Sequence, residues 1–149
     1  MKNTLKNNIG VIVKLNKFND DLQQVFENVI QPEMARIFDA NDDKFIVVEE
    51  IDGVDVLFLF TEINKTNKLI DLLVKHDMVD FTKEITEDIL MGDLDEKLLA
   101  VMASDEFKVV FDTFILKNLN PDMVLDKILL KGMDALTEND KFILEQAAA

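Results

Sequence analysis

The sequence lacks cysteine, tryptophan and tyrosine, and its 149 residues include one histidine, one serine and one arginine. Without cysteine the chain can form no disulfide, no thiolate metal site and no cysteine nucleophile. A single histidine then leaves too few ligands for an ordinary zinc site. With four glycines there is no glycine-rich phosphate loop and no dinucleotide-binding fingerprint. These absences predict that the protein is not an enzyme and that it needs no cofactor.

The few residues capable of catalysis have simpler structural explanations. Ser104 precedes two acidic residues where a helix is predicted to begin, so it is expected to cap that helix. His76 ends an apolar helical stretch, where a cation is favourable. Arg36, the one arginine, argues against nucleotide and phosphoryl chemistry because guanidinium groups usually grip phosphates. The absence of tryptophan and tyrosine, which usually contact sugars, argues against a glycosidase pair of carboxylates.

The formal charge is −14, from 30 acidic and 16 basic residues. A field of this sign repels nucleic-acid phosphates and anionic membranes and attracts cationic partners. No stretch approaches the roughly 18 apolar residues that a membrane span requires, and the first residues contain no apolar core of a signal peptide. We therefore expect a cytoplasmic protein whose partner is a protein with a basic surface, with no direct nucleic-acid binding and no membrane attachment.

The first part of the chain predicts a β-α-β-β unit. Ile9–Leu15 is β-branched and apolar, as in a buried strand. Apolar residues at helical spacing predict a helix from Phe18 to Phe38, capped by Asn19 or Asp20, with a kink or restart at Pro32.

A hairpin is the strongest local prediction. Phe45–Ile51 and Val54–Phe60 are β-rich runs joined by Asp52 and Gly53, which suit the positive φ angles of a type I′ turn. The second run is apolar on both faces near its end, which predicts a strand in the middle of a covered sheet.

After Thr61 the pattern predicts helices only. Their apolar stripes and caps predict about five to six short helices, among them Asn64–Lys75, Thr82–Met91 ending at Gly92, and a helix opened by Asn120 and Pro121 whose stripe is Val124, Leu125, Ile128 and Leu129. The fold class is therefore α+β, with a helical bundle after the β-α-β-β unit. We expect one domain over 1–149, the alternative being a division into 1–61 and 62–149. Apolar residues outside one clean stripe, such as Val109 and Leu116, leave a homo-oligomer open.

Residues 39–50 resemble the calcium loop of the EF-hand family. Asp39, Asn41, Asp43 and Glu50 match the ligand positions 1, 3, 5 and 12, and Ile46 matches the apolar position 8. Lys44 stands where the family has glycine, and the segment that follows is β-rich where the family has a helix. The resemblance implies a calcium site at these residues, as an alternative to an acidic turn that leads into a strand.

Acidic residues are densest between positions 84 and 96. The candidate partner-binding patch consists of Glu84, Glu87, Asp88, Asp93, Asp95 and Glu96. If such acids share one face, they imitate a phosphate backbone and occupy a basic groove on a partner. Lysines interleave many of the acids, which is also typical of a solvated helix surface.

The leading hypothesis is a non-enzymatic acidic interaction protein. Its size, its charge and a composition typical of an AT-rich genome would suit a phage- or mobile-element-encoded inhibitor of a basic, nucleic-acid-binding host complex. The alternatives are a phage assembly chaperone or minor structural protein, and a calcium-binding module built on the degenerate EF-hand-like loop.

Overall fold

The computed structural model describes residues 8–42, 45–94, 96–101 and 105–148. Within them the chain forms two compact units, and the boundary in the sequence lies between Ile85 and Thr86. The alternative division predicted at Thr61 lies 24 residues earlier in the sequence, inside the first unit. The boundary falls later because a strand that follows Thr61 joins the sheet of the first unit.

The first unit is built on a four-stranded antiparallel sheet. Its strands are β1 (Val11–Leu15), β2 (Ile46–Ile51), β3 (Val54–Leu59) and β4 (Val79–Glu84), in the order β2-β3-β1-β4. In this register Val13 of β1 lies opposite Leu57 of β3 and Thr82 of β4. The apolar strand β3 pairs with β1 on one side and β2 on the other, so it is internal, as its sequence predicts.

Strand β4 corrects the prediction that the chain contains only helices after Thr61. Val79 and Phe81 alternate with Asp80 and Thr82, but two apolar residues give too short a pattern to identify a strand. The strand lies at an edge of the sheet, so it buries little, and Phe81 remains 48% exposed. The helix predicted from Thr82 begins instead at Thr86.

The hairpin between β2 and β3 is confirmed. Asp52 and Gly53 both have positive φ angles, 55° and 80°, as a type I′ turn requires. Ile51 pairs with Val54 on the two sides of the turn, and Glu50 pairs with Asp55 next to them. The turn geometry thereby fixes which residues of the two strands face each other.

The helical segment after β1 restarts at Pro32, as predicted. It consists of α1 (Asp20–Val25), a π-helical turn (Phe26–Ile30) and α2 (Gln31–Ile37). The side chain of Asn19 caps α1 by accepting a hydrogen bond from the N–H of Leu22 at 2.8 Å. The N–H of Gln31 donates to the carbonyl of Phe26, five residues back, and Pro32 then opens the new helix.

The core of the first unit lies between one face of the sheet and its helices. Helix α3 (Ile63–Lys75) contributes Leu69 and Leu73, and these side chains are fully buried with Ile30, Leu57 and Leu59. On the other face of the sheet the side chains are buried as well: Ile12, Val47, Val56 and Phe58. Residues 56–59 of β3 are all buried, in keeping with the almost continuously apolar sequence of this strand.

The second unit is helical. Its described helices are α4 (Thr86–Met91), α5 (Glu96–Val101), α6 (Asp105–Asn118), α7 (Pro121–Lys131) and α8 (Glu138–Ala148), with a 3₁₀ turn at Met133–Ala135. The Asn120 side chain caps α7 by accepting from the N–H of Met123 at 2.9 Å. Together the sheet and the helices confirm the predicted α+β class. Among the described residues no helix has the length and apolar character to cross a bilayer.

The turn between β2 and β3 generates the first prediction. Because an L residue is strained at φ +80°, Gly53→Ala should lower the free energy of unfolding by about 1 kcal/mol. No atom lies within 4 Å of the added methyl group, so the loss would be conformational and not steric. Urea unfolding measures it, with Gly53→Asn as the control that tolerates a positive φ. Equal losses in the two variants would contradict this explanation.

Candidate functional site

The residues that resemble a calcium loop are spread over a turn and a strand. Asp39 follows α2, and its carboxylate accepts a hydrogen bond from the N–H of Asn41 at 2.9 Å. Glu50 lies in β2, where an EF-hand would have its exiting helix. Asp43 lies outside the described residues. In the part of the chain that the structure describes, no three acidic or histidine side chains form a group able to hold a metal ion.

A lysine lies against this turn. The ammonium of Lys65, on α3, is 2.7 Å from a carboxylate oxygen of Asp42 and 3.7 Å from one of Asp39. Burial alone would raise the pKa of the Asp42 carboxyl, but hydrogen bonds from Lys65 and from the Asp39 N–H, together with the Lys65 charge, hold that pKa below its ordinary value. The turn thus has an internal cation.

The six acids of the predicted patch fall on several elements of the two units. Glu84 ends strand β4 of the first unit, whereas Glu87 and Asp88 lie in the first turn of α4. Asp93 follows the same helix, and its N–H donates to the Asp88 carbonyl at 2.7 Å. Glu96 opens α5, and Asp95 lies outside the described residues. Within the second unit, Asp88 and Asp93 are joined directly by this backbone hydrogen bond.

A buried ion pair organises the helices of the second unit. The ammonium of Lys127, on α7, lies 2.6 Å from a carboxylate oxygen of Asp140, on α8, and the two side chains are only 4% and 2% exposed. The same oxygen accepts the N–H of Thr137 at 2.8 Å, and the Thr137 hydroxyl accepts the N–H of Asp140. This reciprocal capping box opens α8, so one carboxylate holds both the start of α8 and the middle of α7.

One turn further along α7, Lys131 contacts the end of α4. Its ammonium donates to the Met91 carbonyl at 2.8 Å and pairs with the Asp93 carboxylate. A cation is favourable there because the last carbonyls of a helix are unpaired and carry partial negative charge. Gly92, with φ +73°, continues the chain beside the ammonium of Lys127. Two lysines four residues apart therefore turn one side of α7 towards α4 and α8.

The predicted apolar stripe of α7 is wrong for two of its four residues. Val124 is buried, but Leu125 and Leu129 are 50% and 83% exposed, and Lys127 is buried in their place. The neighbouring Leu130 is 75% exposed. Because both lysines of α7 face the other helices, these leucines point to solvent.

The exposed side of α7 and the side of α4 that faces it form a groove of about 550 Å³, which we call the α4–α7 groove. It is apolar with acidic residues among its lining, which consists of Glu87, Leu90, Met91, Asp93, Met123, Asp126, Leu129 and Leu130. Leu90 is buried, and Leu129 and Leu130 are the most exposed of the lining leucines. Clusters of solvent-exposed apolar side chains are typical of surfaces that bind another molecule.

Acids without partners border the groove on both helices. Glu87, on α4, and Asp126, on α7, are exposed, and neither has an ion-pair partner among the described residues, whereas Asp93 is paired with Lys131. Residues 86–149 contain 14 acidic and 6 basic residues, a formal charge of −8. The groove therefore offers apolar contact and negative charge to one ligand, which is the chemistry of binding an apolar, cationic surface.

Sequence patterns predicted two groove acids, Glu87 and Asp93, and missed Asp126 and the leucines. A signal for the leucines is present, because Ile128, Leu129 and Leu130 are consecutive and a helix cannot bury three successive side chains on one face. The burial of Lys127 has no such signal, since lysine is rarely found fully buried.

The buried ion pair generates the second prediction. Lys127→Met should lower the free energy of unfolding by about 3–5 kcal/mol, because it leaves the Asp140 carboxylate buried and unpaired. Adding Asp140→Asn, which keeps an oxygen for the Thr137 N–H, should restore part of that loss. The control is Arg36→Met, which breaks the exposed 2.6 Å pair with Glu33 and should cost about 1 kcal/mol or less. Chemical denaturation measures all three variants, and equal effects of Lys127→Met and Arg36→Met would contradict the prediction.

The Asp42–Lys65 pair generates the third. Lys65→Met should cost about 1 kcal/mol at pH 7. Because the folded pKa of Asp42 lies below its unfolded value of 3.8, the pair stabilises the protein above that pH and its contribution is lost as the pH falls through the folded pKa. The difference between the wild type and Lys65→Met should therefore shrink below about pH 4. Lys68→Met, an exposed lysine on the same helix, is the control, and an equal penalty at pH 3 and pH 7 would refute the assignment.

Function must be inferred from this geometry alone. Comparisons of the chain with the models of known protein families, with characterised proteins and with solved structures found no match. The α4–α7 groove combines shape, exposed apolar surface and acids that have no ion-pair partner among the described residues.

Proposed function

We propose that the protein is a non-enzymatic interaction protein that binds a partner with a basic surface through the α4–α7 groove. The observation that carries the proposal is that outward-facing leucines lie beside acids that have no ion-pair partner within the described part of the chain. Leu129 and Leu130 supply apolar area, and Glu87 and Asp126 supply charge. A partner with both apolar and cationic groups would satisfy the two at once.

The energetics favour a protein partner over a small molecule. Burying a largely exposed leucine gives roughly 1.5–3 kcal/mol, so the two groove leucines alone supply a useful part of a binding free energy. The exposed acids add a salt-dependent attraction to the cationic groups of the partner, together with encounter rate and selectivity. Apolar anchors within a polar rim are typical of protein–protein interfaces.

The specific form that we propose is an inhibitor that occupies the basic surface of a nucleic-acid-binding complex, as a phage or mobile element would use against its host. The excess of acids over bases in 86–149 supports this form, because a surface of that sign competes with phosphates for the same cationic groups. Direct binding of nucleic acid is disfavoured for the same reason.

The exposed leucines favour a second candidate, an assembly chaperone that covers the apolar surface of an unassembled partner. The two candidates differ in their dependence on salt. An electrostatic inhibitor should release its partner as ionic strength rises, because the Debye length falls from about 10 Å at 0.1 M to about 3 Å at 1 M. A chaperone contact made by leucines should persist.

The fourth prediction tests the inhibitor form by affinity capture from bacterial lysate. The tagged wild type should retain a basic, nucleic-acid-binding protein at low salt and lose it at high salt, as identified by mass spectrometry. The double variant Glu87→Lys/Asp126→Lys should fail to retain it at either salt concentration, because it reverses the charge of the groove. Asp71→Lys, which reverses an exposed acid on α3 of the first unit, is the control and should bind as the wild type does.

Other outcomes are equally informative. A partner retained by the wild type and by Glu87→Lys/Asp126→Lys alike would place its binding outside the groove. A partner that resists high salt and is a structural protein of the same genome would favour the chaperone. Loss of the partner in Asp71→Lys as well would mean that net charge, and not the groove, governs binding.

A further inference from the structure

We infer that the element which enters the α4–α7 groove is an amphipathic, cationic α-helix of the partner. The inference rests on the proposed function and names the kind of segment that the groove recognises. Three properties of the described residues support it: the direction of the apolar surface, the absence of a backbone edge in the groove, and the position of the acids.

The apolar surface runs along a helix. From Met123 to Leu130 the groove follows α7 for eight residues, a rise of about 10 Å, or two helical turns. A helix laid alongside presents apolar side chains at positions i, i+3 or i+4, and i+7, which span the same length. Leu125, exposed one turn before Leu129, extends the apolar surface along α7.

The groove offers no sheet edge to a ligand. Both of its walls are helices, α4 and α7, and neither presents the unpaired edge of a strand. An extended peptide needs a sheet edge, and without one it would bury unpaired N–H and carbonyl groups at a cost of several kcal/mol. A helical ligand satisfies its own backbone, so it can use an interface made of side chains alone.

The acids lie where a cationic helix needs them. Glu87 belongs to α4 and Asp126 to α7, so the two carboxylates come from the two walls of the groove. Lysine or arginine residues on the flanks of a bound apolar stripe would meet one carboxylate on each side. A second copy of this chain is a poor occupant, because symmetric contact would bring these carboxylates against each other.

The methionines broaden the range of helices that fit. Met91 and Met123 line the groove beside the leucines. A methionine side chain is unbranched and flexible, so it can adapt to apolar side chains of different shapes. We therefore expect recognition of an amphipathic pattern and not of one sequence.

The fifth prediction is tested with a defined probe, a fluorescein-labelled synthetic peptide of about 18 residues made of leucine and lysine, with the leucines on one helical face. Fluorescence anisotropy should show saturable binding to the wild type. Leu129→Ala/Leu130→Ala should weaken binding by roughly tenfold or more, because it removes the two apolar anchors. Both residues are exposed, so folding should be unaffected, which circular dichroism and melting can verify.

Matched controls separate the groove from the general charge of the protein. Val109→Ala/Leu116→Ala removes two exposed apolar residues of α6, outside the groove, and should leave the affinity unchanged. A peptide of the same composition in which leucine and lysine alternate can form an apolar face only as a strand, and it should bind at least tenfold more weakly. Equal binding of the two peptides, or an equal loss in the two double variants, would overturn the inference.

The outcomes distinguish a failure of the helical ligand from a failure of the proposed function. If the lysate experiment finds a basic partner that needs Glu87 and Asp126 but the helical peptide neither binds nor displaces it, the interaction function stands and the helical ligand is excluded. If neither experiment shows binding that depends on the groove, both proposals fail. If sedimentation shows instead a dimer that Leu129→Ala/Leu130→Ala disrupts, the groove is an interface between copies and the helical ligand is excluded.

Discussion

The ammonium of Lys127 and the carboxylate of Asp140 lie 2.6 Å apart in the interior of the second unit, and much of the surrounding structure follows from their need for each other. A buried charge without a partner is too costly to retain, so α7 can adopt only the rotation that brings Lys127 to Asp140. The carboxylate is itself fixed by the capping box that opens α8. Once α7 has this rotation, Lys131 reaches the end of α4 and the leucines of α7 face outward.

The groove is therefore a consequence of polar chemistry inside the unit. In most amphipathic helices the apolar residues determine which face is buried. In α7 the buried face is determined by Lys127 and its partner Asp140, and leucines that would otherwise be buried lie on the surface. The excess of acids in residues 86–149 makes the surroundings of this apolar surface negatively charged.

The sequence predicted the turns, caps and helix restart that depend on neighbouring residues. Asp52 and Gly53 specify their turn, Asn19 and Asn120 cap their helices, and Pro32 marks a restart, because each effect involves only residues close in sequence. Strand β4 was not predictable in this way, since its stability comes from pairing with β1, some 70 residues earlier in the chain. The groove depends on residues 13 positions apart that form an ion pair, and a helical wheel drawn from hydropathy alone buries the wrong face of α7.

The internal ion pair also limits how the protein can change over evolutionary time. Replacing such a pair with well-packed apolar residues is often neutral or stabilising. In this unit the replacement would remove the buried charge that holds α7 against α8, and the leucines would compete for the interior. Selection for stability alone would thus tend to bury the leucines of α7, whereas selection for their exposure would preserve a lysine in the core. A buried cation of this kind fixes the orientation of its helix, and the exposure of the leucines follows from that orientation.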